Sequence, residues 1–428
     1  MQEFNNCLRK AEIGSDEIGL AYANRSACFF KMGMLQECLM DIEMAKKFNY
    51  PSHLMHALNA RVSKCKRLLD EGQINANLCK VREPVLSFNE HEEYPGVADC
   101  LEIRQNDKFG RHIITTCDLQ IGQTILVEEP FSIARDSRVD CDRCLGCFKY
   151  AQNFIACNNC VGRCLHCNED CMTNSFHHIV CNSLIAEEYE EKIELIVKTI
   201  FSAIVAFSDI DRLMHTVELL LDGKGTSDLT NAHLILHFVH VVVNQVSLNE
   251  YVKLETGSRM DFGFFLPYAH GMYPFGCYMN HSCLPNVCSM SVDNRLICKV
   301  IRPIKKGQQI FRSYLNPSNL NYINPLTDRK LDVEKQLHMK CECNLCSGDA
   351  WTMLHDKSLK QSPFWKDATA AANMTEKAFR ALSNETKEYY ENRTIKFLEM
   401  YDRFHPLNDT LCVQWALIVM WNVLATHF

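Results

Sequence analysis

The 428-residue chain has no opening that reads as a secretory signal, because Met1-Gln2-Glu3-Phe4 begins a polar, charged stretch. It has no apolar run of membrane-spanning length. The longest in its C-terminal part, Leu411–Ala425, is short for a bilayer and carries Gln414 and Asn422, so it reads as a buried helix. It has no positive excess: the net charge is −7 and the pI near 6.2, which argues against bulk attraction to nucleic acid. No phosphate-binding Walker loop is present, no Ser-His-Asp arrangement is identifiable, and no strong basic cluster marks a nuclear address. With these classes set aside, a composition of 47% hydrophobic and 23% charged residues describes a mostly globular chain of two to four domains.

What is abundant is cysteine, with 24 residues. Without a secretory signal a reducing compartment is expected, cytoplasmic or nuclear, where clustered cysteines read as metal ligands rather than disulfides. Nine of them fall between positions 141 and 181. Cys144-x2-Cys147, Cys157-x2-Cys160, Cys167-x3-Cys171 and His177-x3-Cys181 make eight ligands, enough for two closed tetrahedral zinc sites. Cys141-x2-Cys144 is an alternative first pair, and His178 competes with His177. So small a segment has little apolar core, and zinc would contribute folding free energy of about 10–16 kcal/mol per site. A third set is split along the chain: Cys341-x-Cys343-x2-Cys346 offers three soft ligands, and Cys283, within Asn280-His281-Ser282-Cys283-Leu284-Pro285-Asn286, supplies a fourth. Seven further histidines, His53, His56, His91, His215, His233, His237 and His240, show no ligand spacing.

Periodicity divides the rest. Ala23, Ala27 and Phe30, then Leu35, Cys38, Leu39, Ile42 and Ala45, fall at helical spacing on either side of Met32-Gly33-Met34, and Pro51 closes the pair. The small residues at the crossing and the terminal proline resemble a tetratricopeptide repeat, with a second hairpin begun within 52–70. Residues 71–98 read as a polar linker with Pro84, Pro95 and an acidic run. Short strands are expected over 100–133, with turns at Asn106–Gly110 and Gly122, and again around 286–315. Helices are expected over 182–250, 326–340 and 364–428.

The order of motifs resembles a known family. Lys108-Phe109-Gly110-Arg111 comes first, then the cysteine cluster, whose spacing is similar to a MYND zinc finger. The Asn280–Asn286 string follows, then Gly307-Gln308-Gln309-Ile310-Phe311-Arg312-Ser313-Tyr314, then the cysteine triplet. This set resembles the SET and MYND domain (SMYD) protein-lysine methyltransferases, in their tetratricopeptide-bearing branch. The fold so implied is an α+β multidomain protein: a β-rich SET core with an inserted MYND finger and a helical insertion, flanked by N- and C-terminal tetratricopeptide-like helices. Its parts are 1–70 helical repeats, 71–98 linker, 99–140 first SET part, 141–181 MYND finger and 182–265 helical insertion. They continue with 266–325 SET core, 326–350 post-SET zinc segment and 351–428 C-terminal helices.

The resemblance implies S-adenosyl-L-methionine as cofactor, three zinc ions and a lysine-bearing protein substrate, with further protein partners at the MYND and tetratricopeptide surfaces, no membrane and no direct nucleic-acid binding. It places the cofactor on Gly110, Arg111, Asn280, the His281 backbone, Tyr314, Met339 and Asn244, and gives Tyr314 the catalytic hydroxyl. In the finger it implies interleaved ligation, the first and third pairs sharing one zinc and the second and fourth the other. Three positions depart from the pattern. His112 stands where the turn usually has a second glycine, and a β-carbon there is expected to crowd the cofactor or force a different approach. Leu337 replaces a tyrosine and Met339 an adenine-stacking aromatic. Methionine substitutes as a soft apolar contact; leucine cannot replace a hydroxyl, which leaves a weakened or inactive scaffold as the rival reading.

Overall fold

The computed structural model describes residues 1–12, 14–72, 83–135, 143–144, 146–148, 153–157, 165–174, 252–256, 266–314, 334, 340–347, 357–404 and 408–425. Contacts divide the chain into two units, one of Met1–Lys80 with Ser137–Glu194 and His427–Phe428, the other of Val81–Asp136 with Leu195–Thr426.

In the first unit, α1 (Gln2–Lys10), α2 (Asp16–Lys31), α3 (Leu35–Lys47) and α4 (Met55–Asp70) follow one another in short-looped hairpins. Helix α2 buries Ile18, Tyr22, Arg25 and Phe29, a stripe at three- and four-residue spacing. It meets Leu35, Cys38, Ile42 and Ala45 of α3. The crossing is close enough that a β-carbon on Gly19 would meet the Phe48 carbonyl oxygen at 2.3 Å. The cysteine-bearing segment shares this core, through Phe154, Ala156 and Leu165 on a small hairpin of β5 (Ile155–Ala156) and β6 (Leu165–His166).

A buried polar group fixes that junction. The Arg25 guanidinium donates to both carboxylate oxygens of Asp41 at 2.7 and 2.6 Å, to Asn5 Oδ1 at 2.6 Å and to the Phe154 carbonyl at 2.8 Å. Tyr22 Oη accepts from the Ala156 N–H at 3.0 Å. Burial pushes the Asp41 carboxyl up, while Arg25 pulls it down. Each nitrogen of the guanidinium therefore donates to a fixed acceptor, and the pair gives register to elements whose apolar contacts alone would slide.

The second unit is built on short antiparallel pieces. A hairpin joins β1 (Leu101–Asn106) to β2 (Gly110–Thr115). A three-stranded sheet has the order β10 (Val287–Val292), β11 (Arg295–Val300), β3 (Thr124–Glu128). Another has β4 (Ser132–Arg135), β8 (Leu266–Met272), β7 (Val252–Thr256). Parallel pairing joins β9 (Asn280–His281) to β12 (Phe311–Arg312). The stretch read as a linker is described from residue 83. There it lies against β3, with Ser87 donating to Thr124, Ala98 to Ile125 and Val127 to Gly96, and Val97 and Ala98 fully buried. The apolar side chains of Val97 and Ala98, within a polar sequence, account for that docking.

At the C-terminal end, α7 (Trp365–Ala372), α8 (Glu376–Arg380), α9 (Asn384–Tyr401) and α10 (Asn408–Ala425) cover the β10–β11 pair; α5 (Glu169–Asn174) and α6 (Asn344–Ser347) are short helices of the two cysteine segments. Helix α10 is apolar nearly all round and buries Leu411, Leu417, Met420 and Trp421, as expected of a helix enclosed in a core. Gln414, the polar residue noted in its sequence, donates to the Ile301 carbonyl at 3.2 Å. Among the described residues no helix is long and apolar enough to cross a membrane. The expected helices over 182–250 and most of 326–340 lie outside the described residues.

The Arg25 cluster makes a direct prediction. Asp41→Ala removes one half of a buried ion pair and leaves the guanidinium uncompensated, so it lowers stability by about 3–5 kcal/mol. Denaturant titration of the full chain measures this; a loss within about 0.5 kcal/mol would show the cluster to be ornamental.

Candidate cofactor site and cysteine centres

Two groups of four sulfurs assemble, in separate units. Cys144, Cys147, Cys167 and Cys171 form one, and Cys283, Cys341, Cys343 and Cys346 the other; in each, all four Sγ atoms lie within 4.8 Å of one another. Four thiols so close, with no disulfide between them, are the donor set of a tetrahedral zinc site. The first group joins the first and third sequence pairs, with Cys147 as partner to Cys144; Cys141 lies outside the described residues. The Gly146 and Cys167 N–H groups both donate to the Cys144 sulfur at 3.3 Å, and the fully buried His166 interacts with the same thiol. Such N–H contacts orient a thiolate for a metal. For the other expected finger site Cys157 is described and buried, but Cys160, His177 and Cys181 lie outside the described residues. Among the described residues two cysteine centres are thus assembled, where three zinc sites were expected.

The second group holds the Asn280–Asn286 string. Cys283 Sγ is 3.5 Å from Cys346 and 3.8 Å from Cys341. One residue pair upstream, His281 bridges this centre to Tyr314: its Nε2 lies 3.4 Å from the Cys283 sulfur, and its Nδ1 accepts the Tyr314 N–H at 3.0 Å. A backbone N–H can only donate, so Nδ1 is unprotonated and Nε2 carries the hydrogen toward the sulfur. Burial lowers the His281 pKa to about 4, with Cys343 opposing and Arg312 adding to the fall, in keeping with a neutral ring.

The rest of the string is held as tightly. Asn286 accepts the Phe311 N–H at 2.8 Å on its side-chain oxygen and donates its amide to the Gln309 carbonyl at 2.8 Å. The Ser282 N–H donates to the Arg312 carbonyl at 3.0 Å. Asn280 Nδ2 donates to the Phe109 carbonyl at 3.0 Å, which joins the string to the Lys108–Arg111 turn. Gly110 has φ +61°, a left-handed conformation, and a β-carbon there would meet nothing within 4 Å. Arg111 donates to Tyr278 Oη at 3.1 Å and lies over its ring, 4.8 Å from the centroid. Tyr314 Oη donates to the Met279 carbonyl at 2.9 Å.

Gly110, Arg111, Asn280, His281 and Tyr314 are therefore brought together by hydrogen bonds, while Asn244, Leu337 and Met339 lie outside the described residues. His112 belongs to the hairpin that carries the turn. Its ring is buried against its own hairpin, with Nδ1 2.9 Å from the Gly110 carbonyl and Nε2 3.5 Å from Asn106 Nδ2. Residue 112 pairs with Arg104 in the hairpin ladder, so the ring is taken up by the hairpin that carries the turn.

Three site residues escaped sequence reasoning. Glu128, at the end of β3, accepts the N–H groups of Phe275 and Gly276 at 2.7 and 2.8 Å and so sets the approach to Asn280. Its signal was a carboxylate closing the apolar run Ile125-Leu126-Val127. Tyr278 holds Arg111. Arg312 is buried beneath Tyr314; a charge inside a strand ending at a predicted site was the available clue.

Residues 110–315 match the SET domain family model. This segment is similar to a SET domain. The chain is similar at low identity to several SET-and-MYND proteins. It is 26% identical over 190 residues to a protein-lysine N-methyltransferase SMYD4 of Danio rerio, covering 39% of this chain and 24% of that one. It is 22% identical over 323 residues to a SET and MYND domain-containing protein of Dictyostelium discoideum, covering 58% and 82%. To the histone-lysine N-methyltransferase ASHR1 of Arabidopsis thaliana it is 24% identical over 272 residues, covering 58% and 55%. The match thus spans about a quarter of the zebrafish relative and about half of the plant one.

Two measurements follow from this geometry. Metal analysis of the full chain should show that Cys171→Ser and Cys346→Ser each lower bound zinc by one equivalent; unchanged zinc in either variant would remove that centre. The second concerns Glu128, whose pKa burial raises from 4.5 to about 7 against the two N–H bonds. A raised folded-state pKa means that the folded form prefers the proton. The contribution to stability is full below about pH 4.5, falls as pH rises through about 7, and amounts to roughly 3 kcal/mol. Glu128→Gln should flatten that part of the stability–pH profile relative to the parent chain; an unaltered slope would show that Glu128 does not titrate as its burial demands.

Proposed function

We propose that this chain is an S-adenosyl-L-methionine-dependent protein-lysine N-methyltransferase acting on a histone or non-histone lysine. The observation that carries the reading is the meeting, within one SET domain, of the Phe109–Arg111 turn, the Asn280–His281 pair and Tyr314, held from behind by the Cys283 centre. In this reading the finger segment is a MYND module and the terminal helices are tetratricopeptide-like, both offering surfaces to partner proteins in the cytoplasm or nucleus. The donor sets fit zinc, held by Cys144, Cys147, Cys167 and Cys171 in one centre and by Cys283, Cys341, Cys343 and Cys346 in the other.

When bound, the cofactor supplies a methyl group on a cationic sulfonium. The open face of Gly110 admits close backbone approach, and Asn280 and the His281 backbone are its adenine and amino-acid contacts, with Asn244 and Met339 completing the set. The chain's own task is to present a neutral amine in line with the methyl. Deprotonating a lysine of reference pKa ~10.4 near neutral pH costs about 4 kcal/mol, which desolvation and nearby positive charge reduce. The Tyr314 O–H proton is committed to the Met279 carbonyl, so its oxygen offers lone pairs to an incoming amine N–H.

A second reading, a weakly active or inactive scaffold, is favoured by Leu337, which cannot supply the hydroxyl usual at its position. Calorimetry and a peptide-array methylation assay separate the two. The zinc-replete protein should bind S-adenosylmethionine and methylate a lysine, and Tyr314→Phe should lower turnover by about 10-fold or more with cofactor affinity kept. Binding without turnover on any lysine would favour the scaffold. Absence of cofactor binding to folded protein would falsify the methyltransferase reading.

A further inference from the structure

The cysteine segment of the first unit rests on the helices that precede it. Cys144, Phe154, Ala156 and Leu165 are buried in one core with Tyr22, Phe29, Cys38 and Ile42, and Cys147, Cys167 and Cys171 pack against it. Two side chains of α2 add polar contacts. Tyr22 Oη accepts the Ala156 N–H at 3.0 Å, and Arg25 Nη2 donates to the Phe154 carbonyl at 2.8 Å. Both targets are main-chain groups at the start of the β5–β6 hairpin, where Ile155 pairs with His166 and Ala156 with Leu165. So short a pairing does not hold a hairpin by itself. The residue after His166 is Cys167, one of the four sulfurs, and its N–H donates to the Cys144 sulfur at 3.3 Å. A line of bonds thus runs from α2 through the hairpin to the sulfur centre. Lys47 of α3 adds a weaker, exposed link to Glu169 at 3.0 Å, in the first turn of the helix that carries Cys171.

We infer that Tyr22 and Arg25 are positioning residues of the Cys144, Cys147, Cys167 and Cys171 centre, which set the β5–β6 hairpin so that Cys167 is already in place for zinc. They act through main-chain groups and not as ligands. Asp41 of α3 and Asn5 of α1 fix the Arg25 guanidinium from its other sides, so its hold on the hairpin is rigid. A site whose ligands are held before the metal arrives gives up less freedom on binding, and groups outside the ligand set then govern its affinity. Coupling of this kind is reciprocal: the zinc that α2 helps to bind holds α2 and α3 in return. The N-terminal helices and the cysteine segment are then one metal-linked unit rather than an independent helical array beside an independent finger. Any surface the helices offer to a partner depends on the occupancy of that centre.

Competition for zinc between the full chain and a chromophoric chelator tests this, with the two centres told apart by Cys171→Ser and Cys346→Ser. Tyr22→Phe keeps the ring and leaves the Ala156 N–H without its acceptor. It should weaken zinc at the first-unit centre by about fivefold, the equivalent of one hydrogen bond, and leave the Cys283 centre as it was. Arg25→Lys, which lacks the fork that reaches several acceptors, should weaken it by about tenfold or more. Leu58→Ala thins the same core with no hydrogen bond to the hairpin, and should leave both centres unchanged. Hydrogen exchange gives the reciprocal readout: in Cys171→Ser the amides of α2 and α3 should exchange about tenfold faster, and those of β10 and β11 at the parent rate. Tyr22→Phe carries the test alone should Arg25→Lys fail to fold. Unchanged zinc affinity in Tyr22→Phe overturns the inference. So does an equal shift in Leu58→Ala, which would make the effect one of general stability, and so do parent exchange rates for α2 and α3 in Cys171→Ser. A folded parent that holds no zinc in this centre overturns it outright.

Discussion

Four thiols whose sulfurs lie within 4.8 Å of one another form the donor set of a single metal ion, and in this protein they come from positions 283 and 341–346. That requirement draws a distant segment onto the Asn280–Asn286 string. It is passed on through one imidazole, since His281 gives its N–H to the Cys283 sulfur and takes the N–H of Tyr314. The position of the candidate catalytic tyrosine is thus fixed from behind by the sulfur centre. A fixed frame suits methyl transfer, where alignment of two reacting atoms is the main contribution a protein can make.

Around that frame, short elements are held by buried polar groups more than by long ladders. The β9–β12 pairing extends over two residues, too few to be stable alone, and Asn286 braces it with side-chain bonds to Phe311 and Gln309. Glu128 does the same for the turn at Phe275–Gly276. In the other unit Arg25 ties two helices to the hairpin of the cysteine segment. These groups specify geometry where apolar burial would tolerate sliding, and each leaves an unsatisfied partner if removed.

Much of this was legible in the residues. Ligand spacing named the cysteines of both centres, because a metal's few donors impose strict local spacing, and the resemblance to a MYND finger supplied the pairing of Cys144 and Cys147 with Cys167 and Cys171. The hairpin around Asn106–Gly110 and the buried helix over 408–425 followed from turn chemistry and unbroken apolarity. What was not legible depended on contacts distant in sequence. The docking of 83–98 on β3 rests on Val97 and Ala98 meeting a strand some 30 residues on, which no local pattern reveals. The placement of His112 rests on its own hairpin's carbonyl, and that of Arg312 on a ring two residues away along a strand.

The string itself shows how such a site divides its labour. Nearly every side chain in it is already engaged within the protein. Asn280 holds the Phe109 carbonyl, both nitrogens of His281 are committed, Ser282 accepts the Leu284 N–H, Cys283 belongs to the sulfur centre and Asn286 braces two strands. What remains for a ligand is the Asn280 side-chain oxygen and the main chain. Main-chain recognition works only if the main chain is immobile, so the side chains serve the ligand indirectly, by removing the string's freedom to move. The motif therefore reads as strongly as it does because its residues are dictated by the protein's interior, while what is left open to a ligand is groups that every residue has.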